Sequence, residues 1–441
     1  MKHNIFKIYL VASVVSVLLL MLACTSDKKP QPKTIPADNK ETLGTVKFDK
    51  GDLPDITGLY TVRKNKDVLW GFKNMYHACI VKTEDKEYPY FMFFFGWAYT
   101  DCNIGWPACD ATFLARGKNL DNWEVYAKKL TSDDYYWDVP DGNHRYHIQE
   151  WAPIICGGDI WYDSWHFGDP SIVYKDGKFY GAFSSYGLDT DMVVGGETGD
   201  ISCIIGGVSD DGIHWTKSDY PIGLWEPEIG KNEPVTSDGL DFKDKPYYGL
   251  YHRPCILWHE ADQKWQMWFD YISPDPATGV NNFCMGYAEN KGDFMKPGDW
   301  TFIQKDDNPA IRNFPNPDVK YINGKYFAYG DPDVYRLGAR HERISVSGWT
   351  RRQLTEAQSD DGLNWTFTGF IMPDEDRYAN HVPCLYYEDG ILYLFYAGQN
   401  GFGDKQNPAE EYDYRYDNIR YMKRAIDRQY EAGKNFSAPY K

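Results

Sequence analysis

Positive charge is scarce in this 441-residue chain. Lys and Arg number 47 against 64 Asp and Glu, a formal net charge of −17. That balance sets aside nucleic acid and an anionic membrane surface as partners, because both recruit cationic patches. Helical periodicity is missing between the apolar runs, which excludes a parallel sheet built from alternating strands and helices. Metal-ligand cysteine spacing is missing too. The apolar run at residues 8–23 is too short and too basic on its N-terminal flank to span a bilayer.

What is present is repetition. Phe167-Gly-Asp-Pro-Ser-Ile-Val-Tyr-Lys-Asp-Gly-Lys-Phe-Tyr180 reads as a short polar lead, a strand, an Asp-Gly turn and a second strand. Asp-Gly between β-prone runs is a hairpin signal. Pro, lacking an N–H, belongs at a strand's first residue. The pattern returns at Tyr251-His-Arg-Pro254, Phe314-Pro-Asn-Pro317 and Asn380-His-Val-Pro383, each followed by two short strands. A weaker copy opens the series at Tyr76-His-Ala78. Each repeat has a second half with a turn leading to Trp: Ser209-Asp-Asp-Gly-Ile-His-Trp215 and Ser359-Asp-Asp-Gly-Leu-Asn-Trp365 are near-copies. Gly117-Lys-Asn-Leu-Asp-Asn-Trp123 and Lys296-Pro-Gly-Asp-Trp300 are looser ones. Asp and Gly there are turn chemistry.

Four strands per repeat and five repeats predict an all-β, five-bladed β-propeller. The blades are expected at 74–127, 167–220, 250–304, 314–371 and 380–426, with residues 58–62 closing the last one. Residues 128–166 form a long Trp- and Tyr-rich excursion, where Trp151, Trp161, Tyr162 and Trp165 either line sugar subsites or pack the excursion down. Aromatics make up 17% of the chain; sugar faces stack on such rings, and β-rich folds use them anyway. Cys79, Cys255 and Cys384 share one repeat position and read as buried thiols packing as small apolar groups. Cys102 and Cys109 lie close enough in one loop to pair.

The N-terminus ends its apolar run in Met21-Leu-Ala-Cys24. It resembles a bacterial lipoprotein signal, which implies lipidation of Cys24 and a membrane partner through that anchor at the cell envelope. The expected organisation is a signal at 1–23, a flexible tether at 24–55, the propeller at 56–430 and a tail at 431–441.

From about 74 to 426 the repeats resemble the five-bladed glycoside hydrolases, families 43, 32 and 117 among them. The segment from Phe167 to Tyr180 looks like their second-blade motif. The resemblance implies acid/base hydrolysis of a plant or algal poly- or oligosaccharide in an axial pocket. By that match Asp169 tunes the acid and orients substrate. Where family 43 places a base Asp in the first blade and an acid Glu in the third, this chain has His77 and His252. Family 117 offers a precedent for a His acid, and a neighbouring carboxylate raises a His pKa into range.

Asp101, in Trp97-Ala-Tyr-Thr-Asp101, is the leading base. Substrate contacts are expected from His77, Arg253, Asn316, Asp318, Trp97 and Trp165, although alternation can turn Asp318 toward a neighbouring blade. Asp110, Asp189, Asp191, Asp270, Asp331 and Asp333 belong to the same end of the propeller. His381 resembles a last-blade His that holds an axial cation, so Ca2+ or Na+ is the ion expected there, with no cofactor required. Two other readings use the same residues: a carbohydrate-binding propeller without turnover, and a lyase with a His base.

Overall fold

The computed structural model describes residues 53–426 except 71–74, 98–109, 143–144, 159–161, 164–165, 195–196, 226–248, 275, 277–280, 333–353, 372–379 and 400–416. The signal region with Cys24, most of the tether and the tail at 431–441 therefore lie outside the described residues, as do Asp101 and Trp165.

Turn chemistry sets the strands. Asp176-Gly177, Asn323-Gly324 and Asp389-Gly390 all carry positive φ at both residues, between 51° and 87°. That is the backbone a tight two-residue hairpin requires, and it is why Gly follows Asp or Asn there. Five blades result. The closing strand β1 (Thr61–Leu69) precedes them in the chain. Blade one is β2 (Tyr76–Lys82), β3 (Tyr90–Trp97), β4 (Asp110–Asn119) and β5 (Asn122–Lys128). The short β6 (Tyr135–Asp138) and β7 (Ile155–Cys156) follow in the excursion.

Blade two is β8 (His166–Lys175), β9 (Lys178–Val194), β10 (Glu197–Ser209) and β11 (Trp215–Lys217). Blade three is β12 (Gly249–His259), β13 (Lys264–Pro274), β14 (Asn281–Asn290) and β15 (Trp300–Gln304), with β16 (Ile311–Arg312) against β14. Blade four is β17 (Asp318–Ile322), β18 (Lys325–Gly330), β19 (Leu354–Ser359) and β20 (Thr366–Ile371). Blade five is β21 (Asn380–Glu388), β22 (Ile391–Gln399) and β23 (Asp417–Ala425). β1 pairs with β23, so the start of the chain supplies the last blade's outer strand and closes the ring. The closing segment lies a few residues later than the expected 58–62.

The inner strands touch in a closed cycle: β2 with β8, β8 with β12, β12 with β17, β17 with β21 and β21 with β2. Apolar residues fill the five wedges between neighbouring blades. Phe94 and Phe113 meet Phe395 and Tyr421; Phe93 and Leu114 meet Ile172 and Phe179; Ile204 meets Phe269; Trp268 meets Val319 and Ala328; Phe327 meets Leu385 and Leu394. Each such side chain stabilises the ring by roughly 1.5–3 kcal/mol when fully buried.

A second set of contacts between blades is polar. In four of the five blades, the side chain just after the strand's opening Pro or Ala accepts a backbone N–H of the next blade. Cys79 Sγ accepts from Ile172 (3.2 Å), Ser171 Oγ from Ile256 (2.9 Å) and Cys255 Sγ from Val319 (3.1 Å). Asp318 Oδ2 accepts from Leu385. Burial pushes the Cys79 thiol up to about 11, so it stays neutral. These thiols are structural, as their repeat position implied.

The near-copied turns are structural as well. Asp211 and Asp361 each accept two backbone N–H groups two and three residues on, and Trp215 and Trp365 donate Nε1–H to the turn glycine's carbonyl. The excursion packs down through Trp151, which is buried against Phe94 and donates Nε1–H to the buried Asp138 (2.8 Å). Tyr162 is buried and donates to the Asp219 carbonyl. Neither is placed as an open sugar platform.

Candidate active site

One backbone feature recurs in all five blades. The residue before the opening Pro or Ala has left-handed φ: His77 (52°), Asp169 (48°), Arg253 (45°), Asn316 (52°) and Val382 (49°). Such non-glycine conformations are uncommon, and for β-branched Val382 exceptional. In four blades the ladder register shifts at this point. A bulge re-aims the side chain beside it. The five residues recur at one end of the inner strands, and groups from the preceding blade hold three of them there. Ser184 Oγ accepts the Arg253 N–H (2.7 Å), Asp270 Oδ2 the Asn316 N–H (3.1 Å) and Asp331 Oδ2 the Val382 N–H (2.8 Å).

Asp169 gathers the most side chains of these five around it and is fully buried. His77 Nδ1 lies 3.2 Å from Asp169 Oδ1. His252 Nε2 lies 3.2 Å and His166 Nε2 3.7 Å from Oδ2. The imidazoles come from blades one, three and two. Arg253 Nε stands 4.0 Å from Oδ2, while its Nη1 donates to Asp270 at 3.3 Å. Asp270 also lies 3.6 Å from His252 Nδ1. Asn316 donates its amide to Asp331 (2.6 Å).

Burial by itself raises the Asp169 carboxyl's pKa, but the three imidazoles outweigh it and hold the group well below the usual carboxylate range. Asp270 is likewise lowered, burial opposing and Arg253 and His252 prevailing. Held ionised in this way, the Asp169 carboxylate can only accept hydrogen bonds.

Of the residues anticipated from sequence, Asp169, His252, His77, Arg253 and Asn316 come together. Asp318 does not join them. Its carboxylate lies between blades, taking Cys255 Sγ (2.8 Å), Lys320 Nζ (3.0 Å) and the Leu385 N–H. Alternation past Pro317 turns it there. His381 is buried with its ring 5.8 Å from that of Tyr76, and it is not part of the His166–Asp169–His252 cluster. Trp97 ends β3 opposite Asp110.

His166 went unanticipated. In a regular strand, residues three apart face opposite ways. The left-handed turn at Asp169 brings 166 and 169 to the same side. Gly168 between them permits this, since a Cβ there would lie 2.2 Å from the Phe95 ring that stacks on His166. Asp270 is one of many acids at this end by sequence, and only its contacts with His252 and Arg253 single it out. A separate cleft of about 750 Å³ is lined by Lys128, Leu130, Tyr135, Cys156 and Lys217, among others, and by none of these residues.

No protein-family model matches the chain, and no curated protein matches it. Solved structures do share its fold. One, a complex of BT0996 with RGII, has a TM-score of 0.53 at 12% identity, covering 86% of this chain and 96% of that one. Another, described as "Glycoside hydrolase", has a TM-score of 0.50 at 12% identity, covering 92% and 100%. At such identity the likeness establishes the five-bladed architecture.

Proposed function

We propose that this protein is a glycoside hydrolase acting on a plant or algal poly- or oligosaccharide at the Asp169 end of the propeller. The observation that carries this reading is the fully buried, ionised Asp169 held among imidazoles from three blades. The shared fold with a glycoside hydrolase and with a protein in complex with RGII supports a glycan as the partner.

His252 is the proton donor to the glycosidic oxygen. Asp169 on one side and Asp270 on the other orient its ring. Arg253 and Asn316 supply hydrogen bonds to sugar hydroxyls. Asp101, four residues past β3, takes the proton of the attacking water. The water oxygen bonds to the anomeric carbon as the C–O bond breaks, and the leaving oxygen receives the His252 proton. Lipidation at Cys24 would hold this site at the bacterial cell envelope.

A polysaccharide panel with product masses tests the reading. Hydrolysis adds one water across the cleaved bond. Unsaturated products would replace hydrolase by lyase, and binding without any product would replace it by a carbohydrate-binding propeller.

A further inference from the structure

The geometry points to a binding site for one divalent transition metal of the zinc class at His166 Nε2, His252 Nε2 and Asp169 Oδ2. These three atoms lie within 4.8 Å of one another and belong to buried residues, the one such group among the described residues. Bonds of about 2.0–2.1 Å at tetrahedral angles set ligand atoms about 3.3 Å apart. The two imidazole nitrogens stand 3.2 and 3.7 Å from the carboxylate oxygen. Each is close to one edge of such a coordination shell.

The surroundings fit as well. Metal-binding His and carboxylate groups are held from behind by outer partners. Asp270 faces the other nitrogen of His252 at 3.6 Å, His77 holds the other oxygen of Asp169 at 3.2 Å, and Phe95 stacks on His166 with centroids 5.4 Å apart. Fixed charge also favours a cation. Two buried carboxylates, Asp169 and Asp270, face one guanidinium, Arg253, which pairs with Asp270, so one carboxylate is left in excess. Two nitrogens and one oxygen suit zinc, cobalt or nickel; Ca2+ and Mg2+ prefer oxygen ligands throughout. Three protein ligands leave a fourth position for water or a sugar oxygen, the pattern of reactive rather than structural zinc sites.

This inference is argued separately from the hydrolase reading and competes with it at one residue, His252. A metal on Nε2 and a proton on Nε2 exclude each other, so the metal-loaded protein cannot use His252 as its acid. The test therefore reads binding, not turnover. Purified full-length protein is stripped with chelator and titrated with Co2+. One equivalent is expected, with the intense visible bands of low-coordinate Co2+. In His166→Gln, checked for folding by circular dichroism, affinity is expected to fall at least 100-fold, beyond the roughly 10–100-fold typical of an outer partner's loss. Should that variant not fold, Asp270→Asn is used, with about a 10–100-fold loss expected. No stoichiometric Co2+, or undiminished affinity in the folded variant, overturns the site. Failure of every glycan in the panel leaves this result untouched, and the converse holds too.

Discussion

At the scale of single residues, the proposed chemistry turns on Asp169. Its φ of 48° belongs to a region that Asn tolerates nearly as well as Asp. Asp169→Asn therefore removes the charge and leaves the backbone in place. Turnover on the substrate found by the panel is expected to fall at least about 10²-fold, the scale of a positioned acid–base partner. Normal turnover in this variant would remove Asp169 from the mechanism. The same residue has a pH signature in stability. Its pKa is lowered in the fold, so its contribution is full above the unfolded value of about 3.9 and is lost as pH falls through the folded value. Urea unfolding at pH 6 and pH 3 should show the gap between wild type and Asp169→Asn narrowing at the lower pH. A gap that widens there would contradict the assignment.

At the scale of elements, hairpins and bulges do different jobs. The hairpin turns obey local rules. Gly177 has φ of 75° with nothing within 4 Å of where a Cβ would sit. Gly177→Ala thus isolates the cost of the left-handed backbone, expected at about 1–2 kcal/mol. Chemical denaturation measures it, and an unchanged midpoint would mean the turn relaxes into another type. The bulges at His77, Asp169, Arg253, Asn316 and Val382 instead hold uncommon conformations against their own preferences. They do so because partners in adjacent blades, Ser184, Asp270 and Asp331, capture the amides of three of them.

At the scale of the whole molecule, closure is the shared problem. One polar knot bridges blades four and five. Arg424 on β23 donates to Glu356 on β19 at 2.6 Å, and Tyr329, Gln358 and Thr368 donate to the same carboxylate. Glu356 and Arg424 are both almost wholly buried. Glu356→Ala leaves a buried guanidinium without its carboxylate and is expected to cost about 3–5 kcal/mol. A thermal or urea melt near that of wild type would show that water or a rearranged acceptor replaces it. Beyond the ring, the apolar run ending at Cys24 motivates one further expectation. Cys24→Ser should leave the protein released from membranes, because a chain of net charge −17 has little other affinity for an anionic surface. A variant that still sediments with membranes would refute the anchor.

The propeller is legible in the residues alone. Strand alternation, Asp-Gly turns and Trp-led outer strands act over a few residues, so five copies of them are readable without knowing what packs against what. The same reading marks Asp169, His77, His252, Arg253 and Asn316, because each stands near the same point of a repeat. Which of those points share a site depends on how the blades meet. Asp318 obeys strand alternation and turns into the blade interface, whereas Asp169 sits before its blade's Pro, where the backbone is left-handed. His166 lies three residues before Asp169, a spacing that means opposite faces in any regular strand. It joins the site through a bulge that no local preference of Phe167-Gly-Asp-Pro170 demands. The contacts of Asp270 with Arg253 and His252, and of Asp169 with imidazoles from three blades, exist only once the ring has closed. Closing it sets side chains up to 175 positions apart, His77 and His252, against one carboxylate.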